Sequence, residues 1–148
     1  MPTIEHEDVI FAQDVEIWPF ITNEENFHKY IDEYIEGEFL TEQKTGLGST
    51  FRWYTKLWGR RIETTESVIV WKENKRVEYE GDTAGAWFHS QMILTPKDKG
   101  TEFKVIIEYK MPYSIIGKFL DLIYFRRRIR KDVIESIQNV KNHFEKTS

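Results

Sequence analysis

Gly100-Thr101-Glu102-Phe103-Lys104-Val105-Ile106-Ile107-Glu108-Tyr109-Lys110-Met111-Pro112 reads as a strand that ends on a stop. Phe103, Val105, Ile107 and Tyr109 alternate with Glu102, Lys104, Ile106 and Glu108. A period of two places the first set on one covered face. Pro112 has no N–H to give a ladder and ends the strand. Beyond it Ser114 is placed to cap a helix that runs without internal proline to about Glu145. Ile115, Phe119, Leu122, Ile129, Val133, Ile137, Val140 and Phe144 follow one another by helical steps and form its apolar stripe. A strand with one covered face, followed by a long helix with one apolar stripe, predicts a sheet packed on that helix.

Working back from this stretch, turn signals recur at Thr45-Gly46-Leu47-Gly48, Gly59, Lys72-Glu73-Asn74-Lys75, Gly81 to Gly85, and Pro96 to Gly100. These five breaks separate six strands between Ile35 and Lys110. The connections are too short for parallel crossovers, so the strands form an antiparallel meander. Upstream, residues 3–12 give an opening strand. Asp14 is placed to cap a helix carrying Val15, Ile17, Trp18 and Ile21, and Asn23 to cap a second over Glu24–Tyr34. The expected fold is α+β: a seven-stranded curved antiparallel sheet wrapped around a long C-terminal helix, with two short helices between the first and second strands. Residues 1–148 are read as a single domain, a size that suits one core.

Composition narrows the function. With 25 acidic against 21 basic residues the net charge is -4, which gives no general attraction to nucleic acid. The absence of cysteine removes thiol chemistry and suits a reducing cytoplasm. The acidic start, Met-Pro-Thr-Ile-Glu-His-Glu-Asp, is unlike a secretory signal, and Met111 to Phe125 is too short and too interrupted to span a bilayer. The expected location is cytoplasmic. Histidines 6, 28, 89 and 143 lack ligand spacing, and the Gly46–Gly48 turn joins two strands, so no metal, nucleotide or other cofactor is expected.

Strand parity sorts the sheet's inward residues. Phe51, Trp53, Thr55 and Leu57 face in, as do Ile62, Thr64, Glu66, Val68 and Val70, then Val77 and Tyr79. Phe88, Ser90, Met92 and Leu94 are assigned inward over Trp87, His89, Gln91 and Ile93, although this strand's parity is the least decided. The cavity-lining residues expected from this are Trp53, Thr64, Glu66, Tyr79, Ser90, Met92 and Tyr109 from the sheet, with Phe119, Ile123 and Arg126 from the helix. Arg126 interrupts the apolar stripe between Leu122 and Ile129 and stands opposite the inward Glu66. Two readings are open: a structural ion pair, or a polar anchor for a ligand. If the two groups pair while buried, losing Glu66 alone costs roughly 3–5 kcal/mol. The basic run Arg126 to Lys131 reads as a solvated face, and the apolar edge Ile116, Leu120 and Tyr124 beside it as a contact for a membrane surface, for a partner or for the two short helices.

The element order resembles the START-like helix-grip superfamily, also called the birch-pollen-allergen fold or SRPBCC. Ile10-Phe11-Ala12 with Ile17-Trp18, Gly46-Leu47-Gly48-Ser49-Thr50-Phe51-Arg52, Leu94-Thr95-Pro96 with Gly100-Thr101, and Tyr109-Lys110-Met111-Pro112 are similar in particular to its polyketide cyclase/dehydrase and lipid-transport group. The resemblance implies a cavity between sheet and helix that binds or transports a hydrophobic or amphipathic, lipid-like or polyketide-like molecule. It carries over no catalytic signature. Two alternatives stay open beside this non-enzymatic one. One is a cyclase, dehydratase or hydrolase acting on a carbonyl compound, with Glu66 as base and Tyr79 or Tyr109 as donor. The other is a co-chaperone-like or dimerising interaction module using Trp58, Trp71 and Trp87, so the chain is expected as monomer or homodimer.

Overall fold

A computed structural model describes residues 3–57, 59–110 and 119–145, the side chains of 119–124 excepted. Strand β1 (Thr3–Ile10) is followed by helix α1 (Asp14–Thr22), a single 3₁₀ turn (Glu24–Asn26) and the one-turn helix α2 (Phe27–Tyr30). The meander is β2 (Tyr34–Phe39), β3 (Thr50–Leu57), β4 (Arg60–Lys72), β5 (Arg76–Thr83), β6 (Ala86–Lys97) and β7 (Gly100–Lys110), and helix α3 (Phe119–Glu145) is the last described element. All seven strands pair antiparallel in the order β1-β7-β6-β5-β4-β3-β2. The first strand therefore pairs with the last, and α1 and α2 carry the chain from one sheet edge to the other. This is the helix-grip arrangement.

Local chemistry explains the joints. Gly59 and Gly85 sit at φ +76° and +89°, where a side chain is strained, and form the tight β3–β4 and β5–β6 turns. Asn23 Oδ1 accepts from the Glu25 N–H at 3.0 Å, the capping role its position predicts. Helix α1 starts one residue earlier than expected. Its cap is Gln13, whose N–H donates to the Glu16 carboxylate at 3.2 Å, so Asp14 is the first helical residue. The second helix is shorter than the expected Glu24–Tyr34. Tyr34 pairs with Thr55 across the sheet and its ring stacks on Trp53 at 5.9 Å, so strand pairing overrides helix propensity there.

The core lies between the concave face and the helices. Ile17, Trp18, Phe20 and Ile21 of α1, Phe27 and Tyr30 of α2, and Val133, Ile137 and Val140 of α3 are buried against Val68, Val77, Leu94, Phe103 and Val105. Two faces depart from simple periodicity. A bulge between Val68 and Val70 shifts the β4 register, so the parity expected to put Trp71 outside reverses. Ile69 is left 39% exposed, and Trp71 turns in to meet Trp18 edge-on at 5.0 Å. On α3 the inward residues of the first described turns are Phe125 and Ile129, while Arg126 is exposed. The expected roles of Trp58, Pro112, Ser114, Ile115, Ile116, Phe119, Leu120, Leu122, Ile123 and Tyr124 lie outside the described residues or side chains.

Candidate functional site

Strand register lays the concave face out in rows. Phe51, Glu66, Gly81, Phe88 and Tyr109 are consecutive partners across β3 to β7. Trp53, Thr64, Thr83 and Ala86 form the next row, and Val68, Tyr79, Ser90 and Ile107 the row on the other side. Over these rows α2 and α3 leave a cavity of about 280 Å³. Trp53, Tyr79, Phe88, Met92 and Tyr109 wall it from the sheet, Phe27 and Tyr30 from α2, and Phe125, Ile129 and Val133 from α3. Its volume is at the small end for sites that hold organic molecules, and its walls are mainly apolar and aromatic, as such sites require.

Among the described residues, Glu66 is the charged side chain in the buried interior. It is 7% exposed, and its Oε1 accepts the Trp53 indole N–H at 2.5 Å. No described cation pairs with it. Burial pushes its carboxyl up to about 7, the Trp53 hydrogen bond pulls the other way, and the charge of Glu24 adds to the rise. Half-buried Glu24, at the 3₁₀ turn, is itself pushed up to about 7 by desolvation. Diagonally across from Glu66 stands Tyr79, 4% exposed, its phenol pushed well above the ordinary value by burial.

Hydroxyl bookkeeping separates structural from open groups. Tyr30 donates to the Ile21 carbonyl at 2.6 Å, and the Thr64 and Thr83 hydroxyls bond each other at 2.9 Å. The hydroxyls of Tyr79, Ser90 and Tyr109 bond no described residue. All three residues line the cavity, so these hydroxyls are open to it as far as the described residues go. Around the mouth stand Asp32, Glu33, Lys56, Arg128 and Asp132, with Arg128 Nε on Asp132 Oδ1 at 3.1 Å.

Of the residues expected in the cavity, Trp53, Thr64, Glu66, Tyr79, Ser90, Met92 and Tyr109 line it, and Phe119 and Ile123 lie outside the described side chains. Arg126 does not line it and forms no pair with Glu66. The apolar steps Phe125, Ile129 and Val133 compete with Leu122, Arg126 and Ile129 for the inward phase, and the aromatic residue takes it over the cation. Phe27, Tyr30, Phe125 and Arg128 also line it, beyond the residues that parity and the stripe select; the four-residue spacing of Phe125 and Ile129 is the signal that points to the first of the helix pair. His89 is on the outer face as expected, with Nε2 2.7 Å from Glu78 Oε1. The tryptophans expected to form a contact surface are dispersed: Trp71 packs partly buried against the core, and Trp87, assigned outward, contributes to the cavity lining while its indole donates to Glu80 at 2.9 Å.

A family model described as polyketide cyclase / dehydrase and lipid transport matches residues 1–145. Among solved structures, TTHA0849 from Thermus thermophilus is similar with a TM-score of 0.82 at 16% identity, over 99% of both chains. Ara h 8.0201 superposes with a TM-score of 0.72 at 12% identity over 99% of both chains. DynU16, described as a protein in the dynemicin biosynthetic locus, gives 0.69 at 12% identity over 97% of this chain and 47% of its own. At these identities the likeness is one of fold. No curated protein matches the chain in sequence.

Proposed function

The chain belongs to the polyketide cyclase/dehydrase and lipid transport family, and on that footing we propose that it binds a hydrophobic or amphipathic small molecule in the cavity between sheet and α3. The observation that carries this reading is the cavity itself. It is aromatic-walled, about 280 Å³ in volume, and lined by hydroxyls that bond no described residue. A guest burying about 200 Å² of apolar surface gains roughly 5 kcal/mol before the costs of association, and the open hydroxyls supply orientation. No described helix is long and apolar enough to cross a membrane. A cytoplasmic location is part of the proposal and rests on the cysteine-free composition.

Native mass spectrometry of freshly purified protein, followed by organic extraction, tests this directly. The expected result is a stoichiometric small-molecule adduct, or uptake of an added apolar probe at one per chain. A protein that stays empty in both arms overturns the reading.

A second reading has its own support. Glu66, pushed up to about 7 and unpaired with any described cation, meets the requirement of a general acid or base near neutral pH, and Tyr79 offers a hydroxyl beside it. A cyclase, dehydratase or hydrolase acting on a carbonyl compound would then show a rate that depends on a group near pH 7 and is lost in Glu66→Gln.

A further inference from the structure

The polar groups inside the cavity are matched to one class of guest. We propose that the site selects a protonated amine carried on an aromatic or other apolar body, with Glu66 as its counter-ion, an inference that rests on the binding reading above.

Three observations converge. First, Glu66 is 7% exposed and no described cation pairs with it, whereas buried carboxylates ordinarily have a cationic or strongly donating partner. Its Oε1 has the Trp53 N–H, and its other oxygen receives no donor from the described residues. An ammonium group brings three donors, one for that oxygen and two for the open oxygens of Tyr79 and Ser90. A guest carboxylate would find O–H donors in Tyr79, Ser90 and Tyr109 but would stand beside the Glu66 carboxylate, whose like charge opposes it.

Second, the space beside Glu66 is bounded by the rings of Trp53, Tyr79, Phe88 and Phe27. Ring faces attract cations, the more so where water is excluded. Third, the described mouth carries Asp32, Glu33 and Asp132 against Lys56 and Arg128; the Arg128–Asp132 pair cancels, which leaves two carboxylates against one lysine. This acidic balance favours entry of a cation and opposes an anion.

Proton linkage follows from the same geometry. The empty site holds Glu66 with a carboxyl near 7, and a bound ammonium stabilises the ionised form, so an amine displaces the proton. The titratable and charged groups around Glu66 are Glu24 of the 3₁₀ turn, Tyr30 of α2, Tyr34 of β2, Tyr79 of β5 and Tyr109 of β7, with Asp32, Glu33, Lys56, Arg128 and Asp132 at the mouth and Arg126 of α3 outside the lining, its charge acting on Tyr109. Burial raises all four tyrosines and the Asp132 carboxyl as well, and Glu24 is the neighbouring carboxyl pushed, like Glu66, up to about 7.

Isothermal titration with naphthylmethylamine, naphthylmethanol and naphthoate, matched in apolar body, is the test. The amine is expected to bind about tenfold or more tighter than the alcohol at pH 8. Its affinity should fall about 30-fold by pH 5.5, with proton release visible as a buffer-dependent heat at pH 6.5. Glu66→Gln, checked for folding by its melting curve, should erase both the preference and the pH dependence, while Glu24→Gln keeps them. Equal affinity for amine and alcohol, tighter binding of naphthoate, or a pH dependence that follows Glu24 overturns the amine proposal and leaves small-molecule binding standing. If none of the three probes binds, the binding reading falls with it.

Discussion

A carboxyl raised from 4.5 to about 7 by burial makes Glu66 a cost to the empty protein at neutral pH. The unfolded chain ionises Glu66 near 4.5 and the folded chain resists until about 7, so the folded state binds the extra proton between these values. Stability is therefore full below pH 4.5 and is lost as pH rises through 7, by about 3 kcal/mol for a shift of this size. Glu66→Gln keeps an acceptor for the Trp53 indole and abolishes the titration. Urea denaturation should show it more stable than the parent at pH 8 and indistinguishable at pH 4.5; a variant destabilised at pH 8 would mean a cationic partner for Glu66. That sign is opposite to the one an ion pair with Arg126 predicts, and the reason is local. Parity along a strand with Thr64, Glu66 and Val68 leaves one inward assignment for Glu66. On the helix, Phe125 and Arg126 are adjacent, and a rotation of about 100° decides which of them meets the cavity. Stripe periodicity alone does not resolve one helical step when its anchoring end is also in question.

At the scale of elements, the strands were readable where polar and apolar residues alternate and unreadable where they do not. Glu102 to Tyr109 admits one phase. Val68-Ile69-Val70-Trp71 is apolar throughout, so nothing in it marks the bulge that turns Trp71 toward Trp18. The second helix failed for a related reason, because Tyr34 suits a helix stripe and an aromatic cross-strand stack equally well. Gly81, which pairs with Glu66, is a position where an element depends on having no side chain at all. A Cβ there would stand 2.0 Å from the Thr65 carbonyl oxygen and 2.8 Å from Glu66 Cα, backbone that has little room to move. Gly81→Ala should therefore cost about 2–3 kcal/mol in urea denaturation through forced separation of β4 and β5. Loss below about 0.5 kcal/mol would show that the two strands give way freely.

For the whole molecule, seven strands in the order β1-β7-β6-β5-β4-β3-β2 bend around α3 without filling the space beneath it. Sheet order and faces follow from turn spacing and alternation, but cavity volume depends on where the helix comes to rest, a sum of many contacts that no single stretch of sequence encodes. Protein interiors close-pack unless something keeps them open, so a persistent void of about 280 Å³ carries a stability cost that filling it should recover. Ser90 is the position at which to fill it: it lines the cavity, and its hydroxyl bonds no described residue, so replacement breaks no described protein hydrogen bond. Ser90→Leu should raise stability by about 0.5–2 kcal/mol, the usual gain from cavity filling, and at the same time weaken uptake of an apolar probe. Thermal melting and probe titration on the same sample measure the two together. Stabilisation with unchanged uptake would place the guest elsewhere. Destabilisation would mean that the site is already full of ordered water held by Ser90 and its neighbours. The expected opposition of the two effects is the signature of a core left open for a guest.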